Sequence, residues 1–350
     1  MPVPFASQAS PRIGLVGATG SIGASIAAAL GDAGTPFAAI GRSLAGLTRA
    51  FAAQPEATLR TCDPELRSCS ELRTWNPDDP ATIRGAFRGL DTLVYMVGVP
   101  YDAFHLHPQL MARTVEAAAA EGVSRLLLIG TAYPFGRPQA ALVDESHPRT
   151  PHTFKGQMRK AQEDVLMEAD AAGVIRATIL RLPDFYGPGV ERSFLADIFA
   201  AAAEGRRAKV VGPIDRPHQF VFVPDVGPVV RTLLATDAAF GRTFNLGGAG
   251  TISVREVAER AFALANARPN AKPRLMVANK TMLRLAGLFD PVMRELVEMN
   301  YLMTTPVIMD DTALEALIGA VAKTSYADGI ARTMAAATAA ALAARSRHAA

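Results

Sequence analysis

A glycine-rich turn near the start of the chain carries the clearest chemistry in the sequence. Residues 13–23 read I-G-L-V-G-A-T-G-S-I-G, an apolar run followed by three spaced glycines and a helix-forming stretch. Glycine permits a tight turn and lets backbone N–H groups approach a pyrophosphate, which the N-terminus of the following helix also attracts. The pattern predicts a dinucleotide-binding turn formed by Gly17, Thr19, Gly20, Ser21, Ile22 and Gly23.

The residues after the second predicted strand indicate which dinucleotide fits. About 20 residues beyond the glycines, an acidic side chain selects NAD, whereas a basic one accommodates the 2′-phosphate of NADP. Gly41, Arg42 and Ser43 fill that place, and none of them is acidic. A charge-assisted hydrogen bond contributes about 1.5–3 kcal/mol. The sequence therefore favours NADP, bound through Arg42. NAD is the alternative cofactor, and a solvated loop arginine is the alternative interpretation of Arg42.

Four motifs occur in the order in which one large enzyme family carries them. They are G-A-T-G-S-I-G at 17–23, R-L-P-D-F-Y-G-P-G at 181–189, F-V-P-D at 222–225 and F-N-L-G-G at 244–248. Over about residues 12–335 the chain resembles the extended short-chain dehydrogenase/reductase family, including its NAD-dependent epimerase/dehydratase members. The resemblance implies a Rossmann fold and a nicotinamide cofactor, and it assigns Pro183 to the cofactor site.

The family works through a Ser or Thr, a Tyr, and a Lys one helical turn after the Tyr. The phenol is the general acid or base, the lysine lowers its pKa and holds the nicotinamide ribose, and the hydroxyl orients the substrate oxygen. Aligned on residues 125–129 and on Gly136, these positions fall on Thr131, Gly156 and Lys160. The resemblance thus implies catalytic roles for Thr131 and Lys160, but it leaves no phenol. A surface lysine in a basic run is the alternative interpretation of Lys160.

The missing phenol should slow hydride transfer, because a positioned acid or base contributes about 10²–10⁴ in rate. Tyr133 is the candidate replacement, since it follows a predicted strand at the edge where open α/β sheets bind ligands. A tyrosine that only lines the pocket is the alternative. His152, Thr153 and Lys155 are weaker substitutes, and Thr153 also suits the N-cap of a helix.

Other positions of the family pattern are changed in this chain. Asn76 stands where an aspartate meets the adenine, and Val97 and Gly98 belong to the small-residue turn beneath the cofactor. His218 replaces the arginine with which sugar-nucleotide enzymes grip diphosphate, so a nucleotide sugar is a less favoured substrate. The methionines and leucines of residues 276–309 favour an apolar substrate pocket, although methionines at helical spacing more often pack in a core.

The elements that position these residues follow from the hydrophobic pattern. Apolar runs alternate with amphipathic, helix-length stretches, which is typical of βαβ units. Strands are predicted at 12–16, 37–40, 92–97, 125–129 and 177–180, and helices at 22–30, 108–121 and about 157–172. Beyond residue 181, proline interrupts shorter pieces. We predict an α/β fold, a Rossmann-type doubly wound parallel sheet with a smaller, interleaved C-terminal substrate domain.

The predicted domains are interleaved along the chain. The dinucleotide-binding domain comprises residues 10–183 plus about 242–248, and the substrate domain comprises 184–241 and 249–335. Residues 336–350 are rich in alanine and predict a terminal helix or tail.

The composition limits the classes of partner. Among 350 residues, 36 Lys and Arg stand against 33 Asp and Glu, and a net charge of +3 indicates neither a nucleic-acid nor a membrane partner. The 49% of apolar residues excludes wholesale disorder. Cys62 and Cys69 are too few for a cysteine-rich metal site, and no other metal-binding motif occurs. The first residues do not resemble a signal peptide, so we expect a cytoplasmic location with reduced thiols.

These observations predict an NADP(H)-dependent oxidoreductase that acts on a small, rather apolar carbonyl or alcohol. One alternative is an epimerase or dehydratase that uses the cofactor transiently. Another is a non-catalytic NADP-binding sensor or partner-binding protein that has lost the tyrosine. The resemblance also implies pairing into a homodimer.

Overall fold

The central element is a parallel sheet whose strand order reverses once. The computed structural model describes residues 12–51, 71–266, 272–289 and 291–349. Within these residues the sheet strands are β1 (Ile13–Val16), β2 (Phe37–Gly41), β3 (Glu71–Thr74), β4 (Thr92–Tyr95), β5 (Arg125–Thr131), β6 (Arg176–Leu182) and β11 (Arg242–Asn245). Their order is β11-β6-β5-β4-β1-β2-β3, and every pair is parallel. The predicted Rossmann-type sheet is confirmed.

Helices cover both faces of this sheet and enclose two cores. They are α1 (Ser21–Asp32), α2 (Leu44–Phe51), α3 (Pro80–Phe87), α4 (Leu106–Ala120), α5 (Phe154–Ala171) and α7 (Val223–Ala235). Leu127 and Ile129 of β5 face the core under α1 and α7, whereas Leu126 and Leu128 face the core under α3, α4 and α5. Side chains alternate across a strand. A strand buried on both faces therefore needs the continuous apolar run that the sequence shows.

The helix α7 was not predicted, because prolines interrupt its sequence. Pro224 lies in its first turn, where no intrahelical N–H bond is lost, and Pro228 lies inside it. Packing against α1 offsets the unfavourable effect of these prolines on the helix. A Cβ added to Gly227 would lie 2.2 Å from the backbone oxygen of Ser25, and the Gly227 N–H donates to Ser25 Oγ at 3.0 Å.

The C-terminal part of the chain forms a smaller lobe with its own core. Its strands are β7 (Asp184–Tyr186), β8 (Ala208–Val211), β9 (Pro217–His218), β10 (Phe220–Phe222), β12 (Ile252–Ser253) and β13 (Leu275–Ala278). Its helices are α6 (Ala196–Glu204), α8 (Val254–Asn266), α9 (Lys280–Ala286), α10 (Pro291–Met299), α11 (Tyr301–Thr304), α12 (Thr312–Ile318) and α13 (Tyr326–Ala349). Helix α13 begins before the predicted alanine-rich end, and its Ile330 and Met334 join this core.

The sequence predicted neither a membrane partner nor a metal site. No helix within the described ranges is long and apolar enough to cross a membrane. Among the same residues, no cluster of three or more His, Cys, Asp or Glu side chains could hold a metal ion. Cys62 and Cys69 lie outside the described residues.

Candidate active site

A cleft of about 680 Å³ opens where the sheet order reverses, beyond the carboxyl ends of β1, β2 and β4. Open α/β sheets bind ligands at such switch points. The structure brings nine of the residues assigned to the cofactor into its wall: Gly17, Thr19, Gly20, Ser21, Ile22, Gly23, Arg42, Val97 and Gly98. The cleft therefore has the position and the walls that the glycine-rich turn predicts.

Two glycines of the turn are required by close backbone contacts. Gly17 adopts a φ of +89°, and a Cβ there would lie 3.1 Å from the carbonyl group of Met96. A Cβ on Gly23 would lie 2.4 Å from the carbonyl oxygen of Ala18. Gly20 caps α1 without a side-chain hydrogen bond, and the first turn of α1 contains no acidic residue. This helix end therefore keeps backbone donors for an anion in the cleft.

Arg42 lies at the end of the cleft that follows β2. Its side chain is exposed, and no described residue forms a hydrogen bond or ion pair with its guanidinium. Asp78 also lines this end but is paired with Arg113, the two atoms being 2.9 Å apart. Asn76 does not line the cleft. Its amide oxygen instead accepts the N–H of Asp78 at 3.1 Å.

Helix α5 presents a different pair of residues to the site than the sequence alignment indicated. Its buried face carries Lys155, Gly156 and Arg159. Lys160 lies on the partly exposed side, pairs with Asp164 at 2.6 Å and does not line the cleft. The two inward side chains one turn apart are therefore Lys155 and Arg159, each one position before the residue that the alignment selected.

Position 156 has no space for a side chain. A Cβ there would lie 2.7 Å from the Pro151 Cβ and 2.9 Å from the backbone oxygen of Tyr133. Thr153 acts as the N-cap of α5, accepting the Gly156 N–H at 3.1 Å, as the sequence suggested. The glycine lets α5 start directly against the turn that follows β5.

Arg159 occupies the second inward position and is buried. Its Nη2 donates to the carbonyl oxygen of Ile129 at 3.2 Å, and its Nη1 lies 3.3 Å from Nδ1 of His107. Burial and the Arg159 charge lower the pKa of His107 to about 2. His107 is therefore neutral and accepts the guanidinium N–H. The guanidinium anchors α5 to β5 and α4.

Lys155 occupies the first inward position and is fully buried beneath α10. Its Nζ contacts the carboxylates of Glu295 and Glu298, the latter at 2.7 Å. Its backbone N–H also donates to Glu298, at 2.8 Å. The ammonium lies 5.7 Å from the ring centres of Tyr101 and Phe104. Two carboxylates and two aromatic rings thus fix the ammonium and join α10 to α5.

Replacing Lys155 with methionine should loosen α10. The substitution keeps an apolar stem but leaves Glu295 and Glu298 facing each other without a counter-charge. Both carboxylates are about a quarter exposed, at 26% and 24%. Solvent therefore screens part of their repulsion, and we expect a loss of about 1–2 kcal/mol. Urea unfolding measures this loss, and hydrogen exchange should become faster in α10.

A control combines Lys155→Met with Glu295→Gln and Glu298→Gln. Removal of the two negative charges should restore slow exchange in α10. Unchanged exchange in the single variant would show that the ion pairs do not hold this helix.

A second, smaller cavity of about 60 Å³ lies beyond β5 and β6 and shares Phe185 with the first cleft. It is lined by Thr131, Ala132, Tyr133, Pro183, Asp184, Phe185, Phe194, His218, Gln219, Phe220, Leu302, Met303, Pro306 and Val307. The structure thus brings together Thr131 and Tyr133, the two hydroxyl residues that the sequence selected. Pro183 lies here and not in the dinucleotide cleft.

Two polar residues of this cavity are already engaged by the backbone. The His218 ring nitrogens face the carbonyl oxygens of Arg216 at 2.8 Å and of Leu302 at 3.2 Å. Gln219 donates to the carbonyl oxygen of Met309 at 3.3 Å and accepts its N–H at 2.9 Å. These two side chains therefore shape the cavity and hold its outer wall.

Tyr133 and Asp184 are the remaining titratable groups of the wall. Tyr133 hydrogen bonds with Tyr101 and stacks on Phe104, the ring centres being 6.4 Å apart. Burial raises the pKa of Tyr133 well above its ordinary value, and the charges of Tyr101 and Asp184 raise it further. Burial also raises the pKa of Asp184 to about 7, although the N–H groups of Phe194 and Phe185 oppose this shift.

Sequence reasoning gave no role to Asp184 or Arg159, and it named Lys155 only as a weaker substitute for the missing tyrosine. A signal for Asp184 was present, because it is the single acid in the otherwise apolar run L-P-D-F-Y. No comparable signal marked Lys155 and Arg159. They stand in a basic run where sequence spacing alone does not show which lysine or arginine faces inward.

Comparison with known proteins identifies the family. Residues 13–247 match the model of the NAD dependent epimerase/dehydratase family. A UDP-glucose 4-epimerase from Azospirillum brasilense is 27% identical over 175 residues. That match covers 50% of this chain and 49% of the relative, so the chain spans about half the length of the curated relative that it matches.

Solved structures share the whole fold. An epimerase from Methanothermobacter thermautotrophicus superposes with a TM-score of 0.77 at 15% identity, covering 98% of this chain and 99% of the other. A UDP-glucuronic acid 4-epimerase from Bacillus cereus, in complex with NAD, gives a TM-score of 0.71 at 16% identity, covering 94% and 99%. Because the family model matches most of the chain, from the glycine-rich turn to the strand at the sheet edge, the chain belongs to the NAD-dependent epimerase/dehydratase family.

Proposed function

We propose that the protein is an NADP(H)-dependent oxidoreductase that acts on a small, rather apolar carbonyl or alcohol. The observation that carries this proposal is the arrangement of the two cavities. A cleft built for a dinucleotide adjoins a small cavity that contains two hydroxyl side chains, and Phe185 lines both. A cofactor in the first would therefore have its reactive end near a substrate in the second.

The residues of the cleft fit a nicotinamide dinucleotide. The turn from Gly17 to Gly23 would hold the pyrophosphate, Val97 and Gly98 would lie beneath the cofactor, and Arg42 would meet a 2′-phosphate. The cofactor supplies or accepts hydride when it is bound. The Bacillus cereus relative contains NAD. Arg42, which has no partner among the described residues, favours the phosphorylated form.

The second cavity favours a small substrate. Its volume of about 60 Å³ is far below the roughly 300–1,000 Å³ of pockets that enclose drug-sized ligands. Phenylalanine, leucine, methionine and proline side chains supply half of its fourteen wall residues. The Thr131 hydroxyl would orient the substrate oxygen, and Tyr133 would donate a hydrogen bond to it. Such a volume favours a small molecule over a nucleotide sugar.

An epimerase that uses the cofactor transiently is the second candidate. It is favoured by the match to a UDP-glucose 4-epimerase and by the family to which the chain belongs. Net consumption of NADPH separates the two activities, because an epimerase returns the hydride to its substrate. A non-catalytic sensor is the third candidate, favoured by the capture of Lys155 by two carboxylates.

Calorimetry with NADP, NADPH, NAD and NADH tests the proposal first, followed by turnover on a panel of small carbonyl compounds. We expect binding of NADP(H) and net oxidation of NADPH. Gly23→Ala should abolish binding because its Cβ would collide with the backbone at Ala18. Gly85→Ala is the matched control, since no atom lies within 4 Å of its added Cβ. If folded protein binds none of the four dinucleotides, the proposed function is wrong.

A further inference from the structure

We infer that Asp184 is the catalytic residue that exchanges the proton with the substrate oxygen, either directly or through the hydroxyl of Tyr133. The inference rests on the proposed function and adds the acid and base that the chain needs at the place of the missing tyrosine. Its basis is the position of one carboxyl group in the wall of the small cavity.

The fold places Asp184 in the wall of the same cavity as the two hydroxyl residues. Asp184 starts β7, whose parallel pairing with β10 sets Asp184 opposite Phe220. Its Oδ2 accepts the N–H of Phe194 at 3.0 Å. Asp184, Thr131 and Tyr133 then line the same cavity. Backbone N–H groups of its own strand and of the segment before α6 thus hold the carboxyl, and Asp184 lines the space assigned to the substrate.

The surroundings allow the carboxyl to hold a proton near neutral pH. Within the described ranges no lysine, arginine or histidine lies within 4 Å of it as an ion-pair partner. The two backbone N–H groups favour its charged form, but burial outweighs them and raises its pKa to about 7. An acid or base is most effective when its pKa lies near the working pH.

The other titratable groups around the cavity are two tyrosines, a histidine, a lysine and an arginine. The pKa values of Tyr133 and Tyr101 are raised, mainly by burial. Burial lowers the pKa of His218, although the backbone carbonyl oxygens that face its two ring nitrogens oppose this shift. Lys155, behind Tyr101, is paired with two glutamates, and Arg192 lies at the rim of the dinucleotide cleft.

In the inferred reaction, Asp184 supplies the proton and the cofactor supplies the hydride. During reduction, the carbonyl carbon gains the hydride that the reduced cofactor supplies, and the C=O π electrons move to the oxygen. That oxygen takes the proton of the Asp184 carboxyl, or takes the Tyr133 proton while Tyr133 takes that of Asp184. Asp184 is left as a carboxylate and regains a proton from solvent. Oxidation of an alcohol runs the same transfers in reverse.

The test compares Asp184→Asn, which keeps the shape but cannot titrate, with the unchanged protein. In the unchanged protein, kcat/KM for reduction should fall as the pH rises above about 7, because the acid loses its proton. In Asp184→Asn this inflection should disappear, and kcat should drop about 10²–10⁴-fold with a smaller change in KM. Tyr133→Phe should lower kcat similarly if the phenol relays the proton.

A measurement without cofactor checks the carboxyl itself. Carbon NMR of aspartate-labelled protein, assigned by the signal lost in Asp184→Asn, should show a carboxyl that titrates near 7. The folded chain then holds a proton that the unfolded chain releases near 3.8, so wild-type stability falls as the pH rises through 7. The asparagine variant should lack this fall.

Asp237→Asn is the control. Asp237 pairs with Arg125 and Arg176 at the opposite edge of the sheet, so both pH profiles should keep their shape in this variant. A carboxyl that titrates near its ordinary value, or an inflection that persists in folded Asp184→Asn, would overturn the inference. If NADP(H) binds but no carbonyl compound is reduced, the proposed function fails instead, and the catalytic role fails with it.

Discussion

Replacing Arg42 with glutamate should reverse the proposed preference for NADP over NAD. The guanidinium has no partner among the described residues and lines the ribose end of the dinucleotide cleft. Its loss should weaken NADP binding by about ten- to a hundredfold, since a charge-assisted hydrogen bond contributes about 1.5–3 kcal/mol. A glutamate would also repel the 2′-phosphate, while it could accept the ribose hydroxyls of NAD. Calorimetry with both dinucleotides measures the two affinities.

Arg49→Glu provides the control for this charge reversal. Arg49 lies in the last turn of α2, is exposed and does not line the cleft. It changes the net charge by the same amount. The NADP affinity should therefore fall only slightly, through the long-range electrostatic effect. Equal losses in the two variants would mean that Arg42 acts as part of the overall field and not as a phosphate ligand.

Glu163→Gln should cost about 3–5 kcal/mol of unfolding free energy, because it removes the counter-charge of a buried arginine. Arg181 is only 2% exposed and donates from Nε and Nη2 to the Glu163 carboxylate, at 3.0 and 2.8 Å. Arg149 approaches the same carboxylate at 3.2 Å. The glutamine would leave both guanidinium groups without this partner. Urea unfolding with an unchanged m-value measures the loss.

Glu168→Gln makes the same chemical change on the exposed side of the same helix. A surface substitution of this kind stays within about 0.5 kcal/mol. If Glu163→Gln is equally mild, solvent must reach Arg181, and the pair is not the buried anchor of β6 and α5 described above.

The sheet and the dinucleotide cleft follow from local sequence, whereas the substrate side does not. The apolar run of β5 and the glycines at 17, 20 and 23 each carry their structural reason within a few residues. No local signal predicts helix α7. Its prolines disfavour a helix, and only packing against α1 offsets their effect. The strand and turn signals therefore predicted five of the seven sheet strands, but neither β3 nor α7.

The register of α5 shows why the candidate site was partly misplaced. The alignment counted from Gly136 across a loop to α5, and a count across a loop does not determine which face of the next helix turns inward. That face is set by contacts distant in sequence, such as those of Lys155 with α10 and of Arg159 with Ile129. Asp184 was missed for a related reason, because its burial depends on Phe194 and Phe220.

The walls of the two cavities come from different parts of the chain. Every residue that lines the dinucleotide cleft precedes residue 193, whereas the small cavity also takes wall residues from 218–220 and 302–307. Under the proposed function, substitutions in those later segments should alter which substrate is accepted and leave coenzyme binding unchanged. Natural selection or protein engineering can therefore change the substrate specificity by altering one segment at a time.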